Sequence, residues 1–141
     1  MSGAAASACR LSAIAGGLVA AIGVLGFVPG VTQHLGALGF AGHGSQAMLF
    51  GTFRVSVVEN AVHLAIGAAG LAASRAAATA VRFLRWGGVA MLLLWLSGAV
   101  GVARVLPANL ADNYLHFGLG VALLAAFALV AQAPASPATP L

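Results

Sequence analysis

The sequence predicts an all-α integral membrane protein, a four-helix bundle built from two parallel helical-hairpin repeats with a long apolar outer loop between the first and second helices. Three observations carry that prediction. Of 141 residues, 62% are hydrophobic and 6% charged, against roughly 45–50% and 25% in an ordinary soluble domain. Six Arg, no Lys, one Glu and one Asp cannot clothe a globule of this size in water. Four apolar stretches have about the length that a 30 Å hydrocarbon core demands of a helix, and two of them open with nearly the same phrase.

Residues 1–10 form a short leading tail ending in Arg10. The first span, residues 11–28, has no ionisable residue and stops at Pro29-Gly30, a helix-stop pair. Arg10 before an apolar run also fits a signal peptide, but the run is long for one and no small-x-small cleavage site precedes Pro29, so it is read as a retained span. Residues 30–56 form the outer loop: Leu35, Leu38, Phe40, Met48, Leu49, Phe50 and Phe53 alternate with glycines and with His34 and His43. So many glycines argue against a helix, and exposed irregular backbone is not tolerated in lipid, so an interfacial cap is expected, its two histidines solvated. The second, third and fourth spans cover about 57–73, 86–105 and 113–131, completing a membrane domain of residues 11–131. The tail 132–141, with Pro134, Pro137 and Pro140, reads as disordered.

With four spans, Arg10, Arg75, Arg82 and Arg85 share one side and Arg54 and Arg104 the other. The positive-inside rule then places both termini in the cytoplasm. The sequence pI of about 11.3 reflects arginines unopposed by acids, not a basic stripe, so no nucleic-acid partner is expected. A mean hydropathy of +1.06 excludes intrinsic disorder. Cys9 is alone and matches no metal or redox pattern.

Glu59-Asn60-Ala61-Val62-His63-Leu64-Ala65-Ile66-Gly67 and Asp112-Asn113-Tyr114-Leu115-His116-Phe117-Gly118-Leu119-Gly120 agree at each polar position. Gly16-Gly17-Leu18-Val19-Ala20 and Gly87-Gly88-Val89-Ala90-Met91 echo each other more faintly. Two hairpins related by an axis along the membrane normal would bring the two polar phrases face to face. Acid and His stand four residues apart and Asn shares their side, so each acid can hydrogen-bond its His. The cluster Glu59, Asn60, His63, Asp112, Asn113 and His116 is thus the candidate site, because ionisable groups in spanning segments face the bundle interior. A structural role competes with a functional one: Ser56-x-x-Glu59 is a capping box, Asp112 suits the first turn of its helix, and His–acid pairs fasten helices in lipid. The same residues could serve a b-type haem through His63 and His116, a transition metal through His63, His116, Glu59 and Asp112, or a proton relay. Haem propionates would find only Arg54 and Arg104 on that side, and the spacing is not the Glu-x-x-His of di-iron bundles.

Gly16, Gly17, Ala20, Gly23 and Gly26 of the first span, with Gly67 and Gly70 of the second, are read as close-packing positions. Trp86 beside Arg85 is placed at an interface, and Trp95 against a neighbouring helix. No catalytic motif is present, so the expectation is a non-enzymatic scaffold or accessory subunit. It would carry no cofactor, contact the bilayer, and pack on a larger membrane complex or on itself.

From Phe40-Ala41-Gly42-His43-Gly44-Ser45-Gln46-Ala47 through Phe50-Gly51-Thr52-Phe53-Arg54-Val55-Ser56 to Asn60–Leu71, and again at Ala111–Val121, the chain resembles a family of small bacterial four-span membrane proteins catalogued as a domain of unknown function. The likeness covers about residues 11–131. It implies an integral inner-membrane protein, common in actinobacteria and cyanobacteria, with no established reaction. Where that family usually carries His before the Asn, this chain has Glu59, which puts in doubt any role that needs a third imidazole.

Overall fold

A computed structural model describes residues 3–100 and 109–132, the side chain of His43 apart. Four helices carry the fold: α1 (Gly3–Leu25), α2 (Val57–Ala73), α3 (Ala77–Ala99) and α4 (Leu110–Ala131). Helices α1, α3 and α4 are long and apolar enough to cross a membrane, while the apolar α2 has 17 residues. Arg104, the end expected for the third span and the proline-rich tail from 133 lie outside the described residues.

Two helices begin well before the expected span. Helix α1 starts at Gly3, so Arg10 rides inside it, and α3 starts at Ala77, so Arg82 and Arg85 do too. Charge marks where lipid ends, not where a helix ends: Gly3–Ala8 and Ala77–Ala80 are rich in alanine, the best helix former, and an arginine stem can lie along the helix with its head in water. Helix α1 also stops three residues short of the expected Val28. Turn bonds from Phe27 N to the Val24 carbonyl and from Val28 N to the Leu25 carbonyl, both 3.0 Å, close it off. The Thr32 hydroxyl donates to the same Leu25 carbonyl at 2.9 Å.

The main packings are α1 on α2 and α3 on α4, two hairpins. Small residues set how closely they approach. A Cβ on Gly16 would fall 2.6–2.8 Å from the backbone of Gly67, Gly70 and Leu71, and one on Gly88 would meet the Leu124 side chain at 2.8 Å and the Gly120 carbonyl at 3.1 Å. The buried Ser12 hydroxyl adds a 2.8 Å bond to the Gly70 carbonyl. Gly17, expected in the same seam, has nothing within 4 Å of its would-be Cβ and points away.

Between the hairpins, α1 against α3 is the largest contact, with lesser ones from α1 to α4 and α2 to α3. The contact expected between the second and fourth helices is thus minor, and α1 on α3 chiefly joins the hairpins, while the closest glycine approaches lie within each hairpin. The buried positions Ala8, Ser12, Gly16 and Val19 of α1 correspond at one constant offset to Ala80, Leu84, Gly88 and Met91 of α3. That offset pairs Gly16 with Gly88, one residue away from the pairing the glycine phrases suggest, since burial follows helix faces and not letter similarity.

The outer loop folds into a small antiparallel sheet of β1 (Thr32–Gln33), β2 (Met48–Leu49) and β3 (Phe53–Arg54), with short 3₁₀ turns at Leu35–Ala37 and Gly42–Gly44. Phe50 and Gly51 take positive φ, 52° and 66°, at the centre of the β2–β3 turn, the backbone that a tight hairpin requires. Ala47, Leu49 and Val55 form a miniature core packed on Ile22, Leu25, Val31, Leu38 and Phe53. The buried Ser45 hydroxyl donates to the Val55 carbonyl and accepts from Gly39 N. The loop is thus an ordered cap over one end of the bundle, and its His34 is exposed.

Gly16→Ala should lower the melting temperature of the detergent-solubilised protein, at a cost of about 1–3 kcal/mol, because backbone must move to admit the methyl group. Gly17→Ala should leave it unchanged or raise it.

Candidate functional site

Both polar phrases enter helices at the capped end of the bundle. Ser56 is the N-cap of α2, its Oγ accepting from Glu59 N at 3.2 Å. In α4 the cap is Asn109: its side chain accepts from Asp112 N at 2.9 Å while its own N–H donates to Asp112 Oδ2 at 2.8 Å, a complete capping box. Asn109-x-x-Asp112 was legible as that pattern but escapes a reading centred on the repeat, which begins at the acid. Asn109 Nδ2 also donates to the Thr52 carbonyl at 2.7 Å, tying α4 to the sheet cap.

From these starts the second helical turn carries His63 and His116. Their rings stack, centroids 6.3 Å apart and planes within 9°, so the two phrases do converge although α2 and α4 are not principal packing partners. Glu59, His63, Asp112 and His116 are 4%, 8%, 4% and 6% exposed. They share a cavity of about 130 Å³ with Ile22, Leu49, Phe50, Phe53, Val55 and Leu115. Polar groups make part of the wall, and apolar side chains of the cap make the roof. Asp112 lies close enough for direct charge interaction with Glu59, and the Arg54 guanidinium stands close to Asp112.

The expected acid–His hydrogen bonds are not formed. His63 Nδ1 donates to the Glu59 backbone carbonyl at 2.9 Å, and since a carbonyl only accepts, neutral His63 keeps its proton on Nδ1 and offers a lone pair at Nε2. Asp112 is engaged by its cap. Glu59 Oε2, His116 Nδ1 and Arg54 Nε are buried without a hydrogen-bond partner. A carboxylate four residues before a histidine can reach it, but here the nearer helix carbonyl takes the ring N–H, and capping takes the other acid.

The two asparagines are set apart from the cavity. Asn60 is fully buried, and its carboxamide fills the space where a side chain at Gly26 would start; Asn113 does the same at Gly98. Each hairpin therefore has one Gly–Asn contact near the capped end, and Asn60 Nδ2 and Oδ1 and Asn113 Oδ1 are buried there without a hydrogen-bond partner. Among the described residues no group of three or more His, Cys, Asp or Glu is placed to hold one metal ion. Trp95 packs on Phe117, centroids 5.0 Å apart, and Arg85 lies 5.1 Å from the exposed Trp86 ring. The roof residues were not singled out in the sequence as part of the site, because nothing in their pattern tells which face of a short loop turns inward.

Asn109→Ala removes the side-chain half of the capping box and the tie to Thr52, while the backbone bond to Asp112 Oδ2 stays. It should destabilise the protein by about 1–2 kcal/mol, and amide hydrogen exchange should speed up at Asp112 together with the β2–β3 turn.

No curated protein and no solved structure matches the chain. A family model does match, over residues 10–130, and it takes in all four helices and the cap with both polar phrases. The chain belongs to the family described as Domain of unknown function (DUF4383).

Proposed function

We propose that this protein is a four-span membrane protein without a reaction of its own, an accessory subunit whose capped chamber holds and relays protons among Glu59, His63, Asp112 and His116. The observation that carries the reading is the pair of buried, unpartnered atoms Glu59 Oε2 and His116 Nδ1 beside a cavity under the cap. Buried polar atoms are normally satisfied, and a cavity of this size has room for several waters that would bridge them. Two carboxylates and two imidazoles joined by water form one coupled titrating unit, in which a proton belongs to the cluster and not to a single side chain.

A purely fastening role is less well supported, since neither acid holds its histidine and glycine contacts pack the hairpins.

The proposal includes bacterial inner-membrane topology with both termini cytoplasmic. Support comes from Arg10, Arg75, Arg82 and Arg85 near one end of the bundle and Arg54 at the other. Helix α2, about 25 Å long at 1.5 Å per residue, is at the short end of the spanning range. In a Cys9→Ser background, Phe40→Cys should react with an impermeant maleimide on intact cells and Ser2→Cys only after lysis; the reverse pattern overturns the orientation.

Proton uptake by the detergent-purified protein, followed with a pH-indicator dye between about pH 8 and pH 5, tests the chamber. Wild type should take up about one proton per chain more than the Glu59→Gln, His116→Gln double variant, with both folded by circular dichroism. Equal uptake would refute the relay and return the cluster to a structural role. A Soret band, or about one metal per chain, lost in His63→Gln and His116→Asn would move the assignment to a cofactor site.

A further inference from the structure

Away from the chamber, a second cavity of about 180 Å³ opens on the side of the bundle between α1, α3 and α4. Its wall is apolar throughout. Ile14 and Leu18, its outer lip on α1, are each 59% exposed, so the groove is open to whatever surrounds the spanning helices. Gly87 forms part of its floor. From Leu11 to Val19 it runs about 12 Å along α1 at 1.5 Å per residue, close to the ~15 Å that one leaflet contributes to the hydrocarbon core.

The charge at one end of this groove identifies the occupant. Arg10, Ile14 and Leu18 fall on one stripe of α1, four residues apart, so the groove wall continues directly into a guanidinium. Arg85 of α3, two residues before Gly87 of the groove, stands over Trp86 and Phe127. The sequence has two acidic side chains, Glu59 and Asp112, and both line the chamber at the opposite end. No acidic side chain of this protein is thus available to these arginines, which leaves them free to take an anion from outside.

We infer that the groove is a binding site for an anionic phospholipid, one acyl chain lying along Leu11–Val19 and the headgroup phosphate held by Arg10. Arginine suits the task, since its planar fork makes paired hydrogen bonds to phosphate oxygens.

Two variants separate the acyl and headgroup halves of the site. A Cβ on Gly87 meets Leu123 at 3.6 Å and Phe83 at 3.9 Å, which is ordinary contact, so Gly87→Leu fills the groove without forcing the backbone. Arg10→Gln removes the phosphate contact and leaves the groove open. The full-length protein would be incubated in detergent with equimolar phosphatidylglycerol and phosphatidylcholine and weighed by native mass spectrometry, with Gly17→Ala as control. Wild type and control should retain about one phosphatidylglycerol per chain. Arg10→Gln should lower the preference for it over phosphatidylcholine roughly fivefold, and Gly87→Leu should lose both lipids. The inference is overturned if wild type retains the two lipids equally or not at all, or if both variants retain phosphatidylglycerol as wild type does. It is also overturned if wild type is a dimer that Gly87→Leu dissociates, because the groove would then receive a second copy of this chain. Should Gly87→Leu fail to fold, the lipid preference of Arg10→Gln still decides the matter.

Discussion

Helices surrounded by lipid gain almost nothing by hiding apolar side chains from it, so what holds this bundle together is how closely its backbones approach. Gly16 against Gly67 and Gly70, and Gly88 against Gly120, set that distance in the two hairpins. The rest of the structure depends on it. Because the spacing is met by glycine and alanine, few large side chains are buried between helices. Leu84 is fully buried and Met91 nearly so in α3, while Leu93, Leu96 and Leu129 face outward. The polar phrases are freed from the task of gluing helices and can stand around a cavity at one end.

Much of this was legible in the sequence, for a physical reason. Lipid imposes length and composition on a spanning helix, so the number and order of helices follow from apolar runs, and the repeated Glu/Asp-Asn-x-x-His phrase was enough to bring His63 and His116 together. Helix boundaries were less legible because arginines were taken as limits; a helix continues through Arg10, Arg82 and Arg85 as long as its backbone bonds persist. The hydrogen bonds of the acids were not legible at all. Spacing says which atoms can meet, and the choice among a backbone carbonyl, a cap and a carboxylate depends on local geometry that both phrases share only in part. The two phrases differ in just this respect: Ser56 caps α2 through one bond, whereas Asn109 and Asp112 cap α4 reciprocally.

The repeat is also unequal in what surrounds it. The first hairpin carries a 27-residue excursion that the second has no room to match, and that excursion, residues 30–56, roofs a cavity walled by both hairpins. A site between similar halves is thereby covered by a segment of one half alone. Arg54 then approaches the Asp112 side and not the Glu59 side, so the two acids, alike in sequence, sit in different electrostatic surroundings.

The roof is not hinged as a separate flap. Val57 N and Val58 N, in the first turn of α2, donate to the Gly39 and Phe40 carbonyls of the cap at 3.1 and 3.0 Å, and Asn109 binds Thr52. Lifting the roof therefore means detaching it from the starts of two helices, whose first N–H groups have no acceptor inside the helix. With three such bonds at about 0.5–1.5 kcal/mol each, the open form would hold on the order of one molecule in a hundred at equilibrium. An opening of this kind is a local release of the cap, and any substitution that strengthens its ties to the two helix starts would make it rarer without touching a single residue of the chamber wall.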